Sequence, residues 1–243
     1  MKVGVQFYSF IPLIKEGKFD EALSLASRCG VDGVELFSYY DIPAIKYRKA
    51  FNDAGIVCYG SHNHLSPLLN DLDHVMEYNY IVGNPTIICH YLMEDERGDL
   101  DKYLYAAESF NKIASVLKTN GFNFVYHNHD FEFRDVFDGK YALDVILENT
   151  DPNLVGMELH IGQLPVFNID ILEYMKRIGR RIKMLHVHCA DRDGQPFDSG
   201  PAIAYGRELN VEWAVLEDVY PADAEPERVK KDINSIRLMA LGN

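Results

Sequence analysis

Short apolar runs alternate along the whole chain with longer stretches in which apolar residues recur at helical spacing. Short runs bounded by glycine are typical of buried strands in a parallel sheet. We predict such strands at residues 3–9, 33–36, 56–64, 85–90, 122–125, 154–160, 182–188 and 211–217. The amphipathic stretches predict helices at residues 19–29, 42–54, 69–82, 100–120, 141–149, 169–178 and 228–241, and the polar segment 192–210 has room for only a short helix.

This order gives eight strand-then-helix units without a long linker. The pattern predicts an α/β protein, a (β/α)₈ TIM barrel that forms a single domain over residues 1–243. A doubly wound open sheet also alternates strands and helices, but it does not require a polar residue at nearly every strand end. Here each predicted strand has one near its end: Gln6, Glu35, His62, His90, His127, His160, His188 and Glu217. In a barrel these ends meet at one mouth, where the active sites of this fold lie.

The histidines follow the same distribution. Of the nine histidines, only His74 falls in the middle of a predicted helix. The others lie at predicted strand ends: His62, His64, His90, His127, His129, His160, His186 and His188. Hydrogen-bonded core histidines are the structural alternative, but a cluster at one end of a barrel favours a metal site or proton transfer.

Composition excludes several classes of function. A net charge of −13 disfavours nucleic acid and anionic membranes as partners, because phosphate binding needs a basic surface. No segment has the roughly 20 consecutive apolar residues of a membrane span, and the first residues lack a signal-peptide pattern. The four cysteines are widely spaced without a Cys-x-x-Cys motif, as expected of reduced thiols in a cytoplasmic protein. Nucleophilic-serine, P-loop and dinucleotide-binding motifs are also missing from the sequence.

The last four predicted strands carry the most specific chemistry. They bring His127, Glu158, His160, His186, His188 and Glu217 towards the mouth. Imidazole and carboxylate groups on adjacent strands are suitable ligands for a first-row metal ion. Such an ion polarises a substrate carbonyl, and a neighbouring carboxylate or neutral imidazole can remove a proton next to that carbonyl.

Several stretches resemble one family in the same order along the chain. They are residues 3–9, 33–36, 126–133 with the sequence Tyr-His-Asn-His-Asp-Phe-Glu-Phe, 147–152, 156–159, 186–188 and 211–217. The chain resembles the xylose isomerase-like TIM-barrel superfamily, which includes sugar phosphate isomerases and epimerases and endonuclease IV-like proteins. The resemblance implies an enzyme with a carbohydrate substrate and one divalent metal ion, and it is compatible with a homo-oligomer.

The resemblance also implies a ligand set. Family members usually hold the ion with Glu, Asp, His and Glu, and the matching positions here are His127, His160, His188 and Glu217. Two carboxylates are therefore replaced by imidazoles, which favours Zn, Mn, Fe, Co or Ni over Mg. The alternative is a metal-free, sugar-binding barrel that has lost its chemistry. Glu158, two residues before His160 and on the same face, is a possible substitute for the missing Asp.

The same departure affects the expected reaction. The family's epimerases use two Glu residues as acid and base, whereas here Glu217 is retained and its partner would be His127 or Glu158. We expect an isomerase or epimerase, with a lyase or dehydratase acting on a keto-sugar or inosose as the alternative. The resemblance assigns substrate contacts to Glu35, His62, His90 and His129; a salt bridge is the structural alternative for Glu35. A DNA-repair nuclease is disfavoured by the charge.

One further segment is ambiguous from sequence. Gly194, Gly200 and Gly206 with Arg192 and Arg207 are compatible with a phosphate site, but an ordinary active-site loop is the simpler interpretation.

Overall fold

The computed structural model describes residues 1–191 and 193–242, and its central feature is a closed barrel of eight parallel strands. The strands are β1 (Lys2–Gln6), β2 (Gly33–Leu36), β3 (Val57–His64), β4 (Thr86–Tyr91), β5 (Asn123–His127), β6 (Val155–His160), β7 (Ile182–Val187) and β8 (Trp213–Leu216). Each strand pairs with its neighbours in chain order, and β1 closes the barrel against β8. The predicted (β/α)₈ barrel is confirmed.

Helices connect the strands on the outside of the barrel. They are α1 (Ile11–Lys15), α2 (Phe19–Arg28), α3 (Ala44–Ala54), α4 (Leu65–Asn70), α5 (Leu72–Val82), α6 (Leu100–Thr119), α7 (Phe131–Arg134), α8 (Ala142–Glu148), α9 (Ile171–Ile178), α10 (Gly200–Glu208) and α11 (Pro226–Leu241). Among the described residues, no helix has the length and apolar character needed to cross a membrane.

Two predictions differ from the structure by more than one or two terminal residues. The predicted helix 69–82 is two helices, because Asp71 has a φ of −148° and interrupts the helical backbone between α4 and α5. The first strand ends at Gln6, since residues Phe7–Phe10 form a 3₁₀ turn instead of continuing to residue 9. The predicted short helix in segment 192–210 is present as α10, and Arg192 lies outside the described residues.

The register between adjacent strands shifts at three places in the barrel. The pairing of β2 with β3 passes over Tyr59, that of β3 with β4 passes over His90, and that of β6 with β7 passes over Lys183. An extra residue of this kind locally twists a strand and redirects its side chains. Two of these shifts occur immediately before the buried carboxylates Glu35 and Glu158.

The interior of the barrel changes from apolar to charged along its axis. Tyr59, Met184, Trp213 and Val215 form a small apolar cluster separate from the main core. The Tyr59 ring stacks on Trp213 with ring centroids 3.9 Å apart. A Cβ atom at Gly4 would lie 2.3 Å from the Tyr59 hydroxyl, so only glycine leaves room for the ring. This cluster fills the lower end of the barrel, where the strands begin. The polar residues lie at the upper end, where the strands end.

Candidate active site

A cavity of about 940 Å³ opens at the carboxyl ends of the strands. Five of the histidine and glutamate side chains predicted for the site line it: His90, His129, His160, His188 and Glu217. The others, Glu35, His62, His127 and Glu158, lie in a buried layer beneath the cavity. A second cavity of about 730 Å³, at the opposite end of the barrel, contains none of the predicted site residues.

Glu158 lies at the centre of the buried layer. Its Oε2 atom is 3.0 Å from His127 Nδ1 and 3.2 Å from His62 Nε2, and its Oε1 atom is 3.3 Å from His186 Nε2. The residue is fully buried. Three imidazoles therefore surround this carboxylate. They hold Glu158 in the interior of the barrel, beneath the cavity.

Glu35 forms the second centre of the layer. Its Oε1 atom accepts a hydrogen bond from Gln6 Nε2 at 2.7 Å and lies 2.8 Å from His62 Nε2 and 3.1 Å from His186 Nε2. The predicted contact of Glu35 and His62 with substrate remains a prediction. In the structure both residues contact other side chains of this layer.

Burial and neighbouring charge divide the histidines into two groups. Burial alone lowers the pKa of His62 and His186, but the adjacent carboxylates outweigh it, raising the pKa of His62 to about 9 and that of His186 well above its usual value. Both are therefore cationic at neutral pH. Burial raises the pKa of Glu158 and Glu217, yet the charge of His186 and the imidazole hydrogen bonds bring both well below the usual range.

The remaining buried imidazoles are neutral. Burial and then the charge of His186 lower the pKa of His127 to about 4. Burial, together with neighbouring imidazoles, also lowers the pKa values of His90, His129 and His160. Neutral imidazole is the form that binds metal ions, because a ring nitrogen must offer a lone pair.

Hydrogen bonding determines which nitrogen of His127 is available. An ionised carboxylate can only accept, so the contact between His127 Nδ1 and Glu158 Oε2 places the proton of the neutral ring on Nδ1. Nε2 then carries the lone pair. A carboxylate that accepts from one ring nitrogen in this way orients the other nitrogen for a metal ion.

His160 and Glu217 lie between the buried layer and the cavity. Nδ1 of His160 is 3.6 Å from Glu217 Oε2 and has no hydrogen-bond partner among the described residues. Glu217 Oε2 is also 2.9 Å from His186 Nδ1. A register pair brings His160 of β6 next to His186 of β7.

The structure adds three polar residues that the sequence predictions did not include in the site. Asp218 Oδ1 lies 3.1 Å from His188 Nδ1, and Gln163 Nε2 lies 3.4 Å from His160 Nε2. Glu132 Oε2 accepts from the backbone N of His129 at 2.8 Å. Asp218 and Gln163 each follow a predicted site residue closely in sequence, but neither belongs to a repeated pattern that would have identified it.

The donor atoms fit a divalent metal ion. Ligand atoms of His127, His160, His186 and Glu217 all lie within 4.8 Å of one another. Donors bound to one ion at about 2.1 Å are separated by about 3 to 4 Å, so small side-chain movements suffice for binding. The buried, unpartnered Nδ1 of His160 and the neutral state of His127 and His160 also suit an ion. His188 was predicted as a ligand in place of His186. It lies outside this group, and its Nε2 atom is 2.9 Å from His160 Nε2.

Comparison with known families agrees with this architecture. The family model described as xylose isomerase-like TIM barrel matches residues 23–213, which is more than half of the chain. The chain belongs to this family. Membership accounts for the barrel and for polar groups at its mouth, while the reaction depends on the individual side chains.

Three similar proteins are distant in sequence from this chain. A curated inosose dehydratase of Clostridium perfringens is 34% identical over 85 residues, which cover 35% of this chain and 27% of that protein. A solved sugar phosphate isomerase/epimerase from Parabacteroides distasonis has a TM-score of 0.84 at 20% identity, with 98% of each chain covered. The probable 3-DHS dehydratase from Bacillus anthracis has a TM-score of 0.73 at 12% identity, with 98% of this chain and 99% of that chain covered. These structural similarities concern the fold.

Proposed function

We propose that the protein is an enzyme that removes a proton next to the carbonyl of a sugar or polyol-derived keto compound, and that it acts as a sugar isomerase. The observation that carries the proposal is the position of Glu217, whose carboxylate lines the cavity beside the imidazoles of His160 and His186. The low pKa of Glu217 keeps it ionised at neutral pH, which is the form of a carboxylate that can accept a proton.

Glu217 is the carboxylate best suited to act as the base. Among the described residues lining the cavity, the other carboxylates make local hydrogen bonds. Asp191 accepts from two backbone N–H groups of its own loop, Asp232 accepts from the Tyr220 hydroxyl, and Asp218 contacts His188. The predicted catalytic roles of His127 and Glu158 are less well supported, because both lie beneath the cavity.

The neutral histidines favour a reaction that needs one base. Epimerisation through two faces requires a proton donor in addition to Glu217, and His90 and His129 also line the cavity. The pKa values of both are lowered, so neither ring carries an additional proton at neutral pH. Isomerisation requires that Glu217 remove a proton from one carbon and return it to the neighbouring carbon on the same face, while a second proton moves from the hydroxyl oxygen to the carbonyl oxygen.

We propose His127, His160, His188 and Glu217 as ligands of a divalent first-row metal ion, which when bound would supply a Lewis acid for the substrate carbonyl. His186 is a poorer ligand because both of its nitrogens contact carboxylates: Nδ1 contacts Glu217, and Nε2 contacts Glu35 and Glu158. Its role is to hold these carboxylates in place. In this proposal Glu158 orients His127.

Dehydration of a keto-sugar or inosose is the second candidate. It also needs one base, and the local similarity to an inosose dehydratase supports it. The two reactions share the first step, removal of a proton by Glu217. They differ in the product, because dehydration yields a compound lighter by one water.

The test is solvent-deuterium exchange with a panel of keto-sugars and inososes, followed by mass spectrometry of the products. We expect exchange next to the carbonyl for at least one compound, and a loss of roughly 10²–10⁴-fold in its rate in the variant Glu217→Gln. A product that differs from the substrate in mass only by the incorporated deuterium supports isomerisation, and a product lighter by one water supports dehydration.

Glu212→Gln is the matched control, because Glu212 immediately precedes β8 at the opposite end of the barrel and pairs with Lys2 on the surface. This control should retain wild-type activity. Full activity of folded Glu217→Gln would contradict the assignment of the base.

A further inference from the structure

Three residues, Asp218, Ser199 and Gly162, hold His188 in one position. Nδ1 lies 3.1 Å from Asp218 Oδ1. The backbone on both sides of the ring is fixed by Ser199, whose Oγ accepts from His188 N at 3.1 Å and donates to His188 O at 2.8 Å. A Cβ atom at Gly162 would lie 2.8 Å from His188 Cδ2, so the ring packs directly on the backbone of this glycine.

Asp218 has two acceptors and uses both. Oδ2 accepts a hydrogen bond from the backbone N of Cys189 at 2.8 Å, and Oδ1 faces His188 Nδ1. The carboxylate cannot donate, so His188 must carry a proton on Nδ1. In a neutral ring the lone pair is then on Nε2, which faces His160 Nε2 at 2.9 Å.

We propose that Asp218 is a positioning residue, which fixes the tautomer and orientation of His188 so that Nε2 offers its lone pair to the metal site. The inference rests on the proposed metal site and extends it to a residue outside the ligand set. The same arrangement recurs beneath the cavity, where Glu158 holds Nδ1 of His127. Two of the proposed ligands therefore have Nδ1 held by a carboxylate.

The arrangement also distinguishes His186, which lies in β7, from His188, which directly follows this strand. His186 contacts carboxylates through both nitrogens, whereas His188 contacts a carboxylate through Nδ1. A carboxylate at one ring nitrogen orients the other nitrogen towards a metal ion. Carboxylates at both nitrogens leave neither nitrogen available for the ion. Asp218 thus accounts for the use of His188 as a ligand.

The variant Asp218→Asn tests this role because an amide has one acceptor in place of two. The backbone N–H of Cys189 needs that acceptor, which turns the amide NH₂ towards His188 Nδ1. This nitrogen must then accept, and the proton of the ring moves to Nε2. The matched control is Asp232→Asn, since Asp232 lines the same cavity but bonds the Tyr220 hydroxyl.

Two measurements on the full chain are needed. The first is the tautomer of His188 from ¹⁵N NMR of metal-free protein, and the second is the affinity for Zn²⁺ or Co²⁺ from competition with a chromophoric chelator. We expect the Nδ1–H tautomer in the wild type, the Nε2–H tautomer in Asp218→Asn, and about 10- to 100-fold weaker metal binding in that variant. Asp232→Asn should match the wild type in both measurements.

The possible outcomes separate the positioning role from the proposed function. Unchanged tautomer and unchanged metal affinity in folded Asp218→Asn would overturn the positioning role. A change of tautomer in a protein that binds no metal even in the wild type supports the orientation of His188 by Asp218 but contradicts the metal site. A change of tautomer with unchanged affinity would overturn His188 as a ligand.

Discussion

Neighbouring carboxylates determine the charge of each histidine in the barrel interior. His62 and His186 each contact two or more carboxylates and are cationic, whereas His127 contacts one and is neutral. Burial opposes the charged form of all three, and the charge of His186 lowers the pKa of His127 further, so the balance of neighbouring charges decides the outcome. Histidines that follow the same sequence pattern, at a strand end, therefore differ in charge.

The charge of His62 has a consequence for stability. Its pKa rises from an ordinary 6.5 to about 9 on folding. Because this pKa is raised on folding, the contribution of His62 to the free energy of unfolding is fully present below pH 6.5 and is lost as the pH rises through 9. The shift corresponds to on the order of 3 kcal/mol. We expect the free energy of unfolding in urea to fall between pH 6.5 and 9.5, and to fall less in His62→Gln.

Exposed His74 on α5 supplies the control for this measurement. His74→Gln should show the same pH dependence as the wild type. If His62→Gln also lost as much stability as the wild type over this range, the ion pairs of His62 with Glu35 and Glu158 would not stabilise the fold.

At the scale of elements, short irregular segments after the strands place the site residues. The 3₁₀ turn Ile161–Gln163 follows β6 directly and brings Gly162 beneath the ring of His188. After β5, the backbone N of His129 is held by Glu132 of α7. Both segments lie close to the strand ends in sequence, so His188 and His129 each have a defined neighbour.

Gly162→Ala should displace His188. The added methyl group would lie 2.8 Å from Cδ2 and 2.9 Å from Nε2 of that ring, closer than van der Waals contact allows. We expect weaker binding of Zn²⁺ or Co²⁺, by about tenfold or more, with the barrel intact by circular dichroism. Gly200→Ala is the matched control, because its Cβ would meet only Asp198 Oδ1, at 3.0 Å, and Met239. Equal metal affinity of the two variants would show that the packing of His188 on Gly162 is unimportant.

At the scale of the whole molecule, closure of the barrel joins residues far apart in sequence. Glu35 of β2 contacts His186 of β7 across 151 positions. At the lower end, Tyr59 of β3 packs over Gly4 and Gly33 and stacks on Trp213 of β8. Side chains that cross the barrel axis in this way connect strands that are not neighbours.

Tyr59→Ala should therefore destabilise the whole barrel. Removal of this buried ring leaves a cavity between β1, β2 and β8, and comparable truncations of large aromatic residues cost about 3–5 kcal/mol. Urea unfolding should show one cooperative transition at a lower midpoint. Tyr80→Ala, at a side chain that is 79% exposed, should change stability by less than about 0.5 kcal/mol. A small effect of Tyr59→Ala would mean that the lower end can repack.

Most of the fold follows from the sequence because its causes are local. A buried parallel strand needs a short apolar run, and a covering helix needs apolar residues at helical spacing, so the eight units and their order were predictable. The break between α4 and α5 was not, because one residue with a non-helical backbone, Asp71, leaves the apolar spacing almost unchanged. The gathering of polar strand ends at one mouth follows from the barrel itself.

Residue types at the strand ends were determined by the sequence, but their roles depend on the tertiary structure. Glu158 and Glu217 are both carboxylates at or beside strand ends, yet one is surrounded by imidazoles in the interior and the other lines the cavity. Register shifts and barrel closure produce this difference through contacts between distant strands. The strength of hydrogen bonds and the pKa values depend on these distances and on burial, which a linear pattern does not contain.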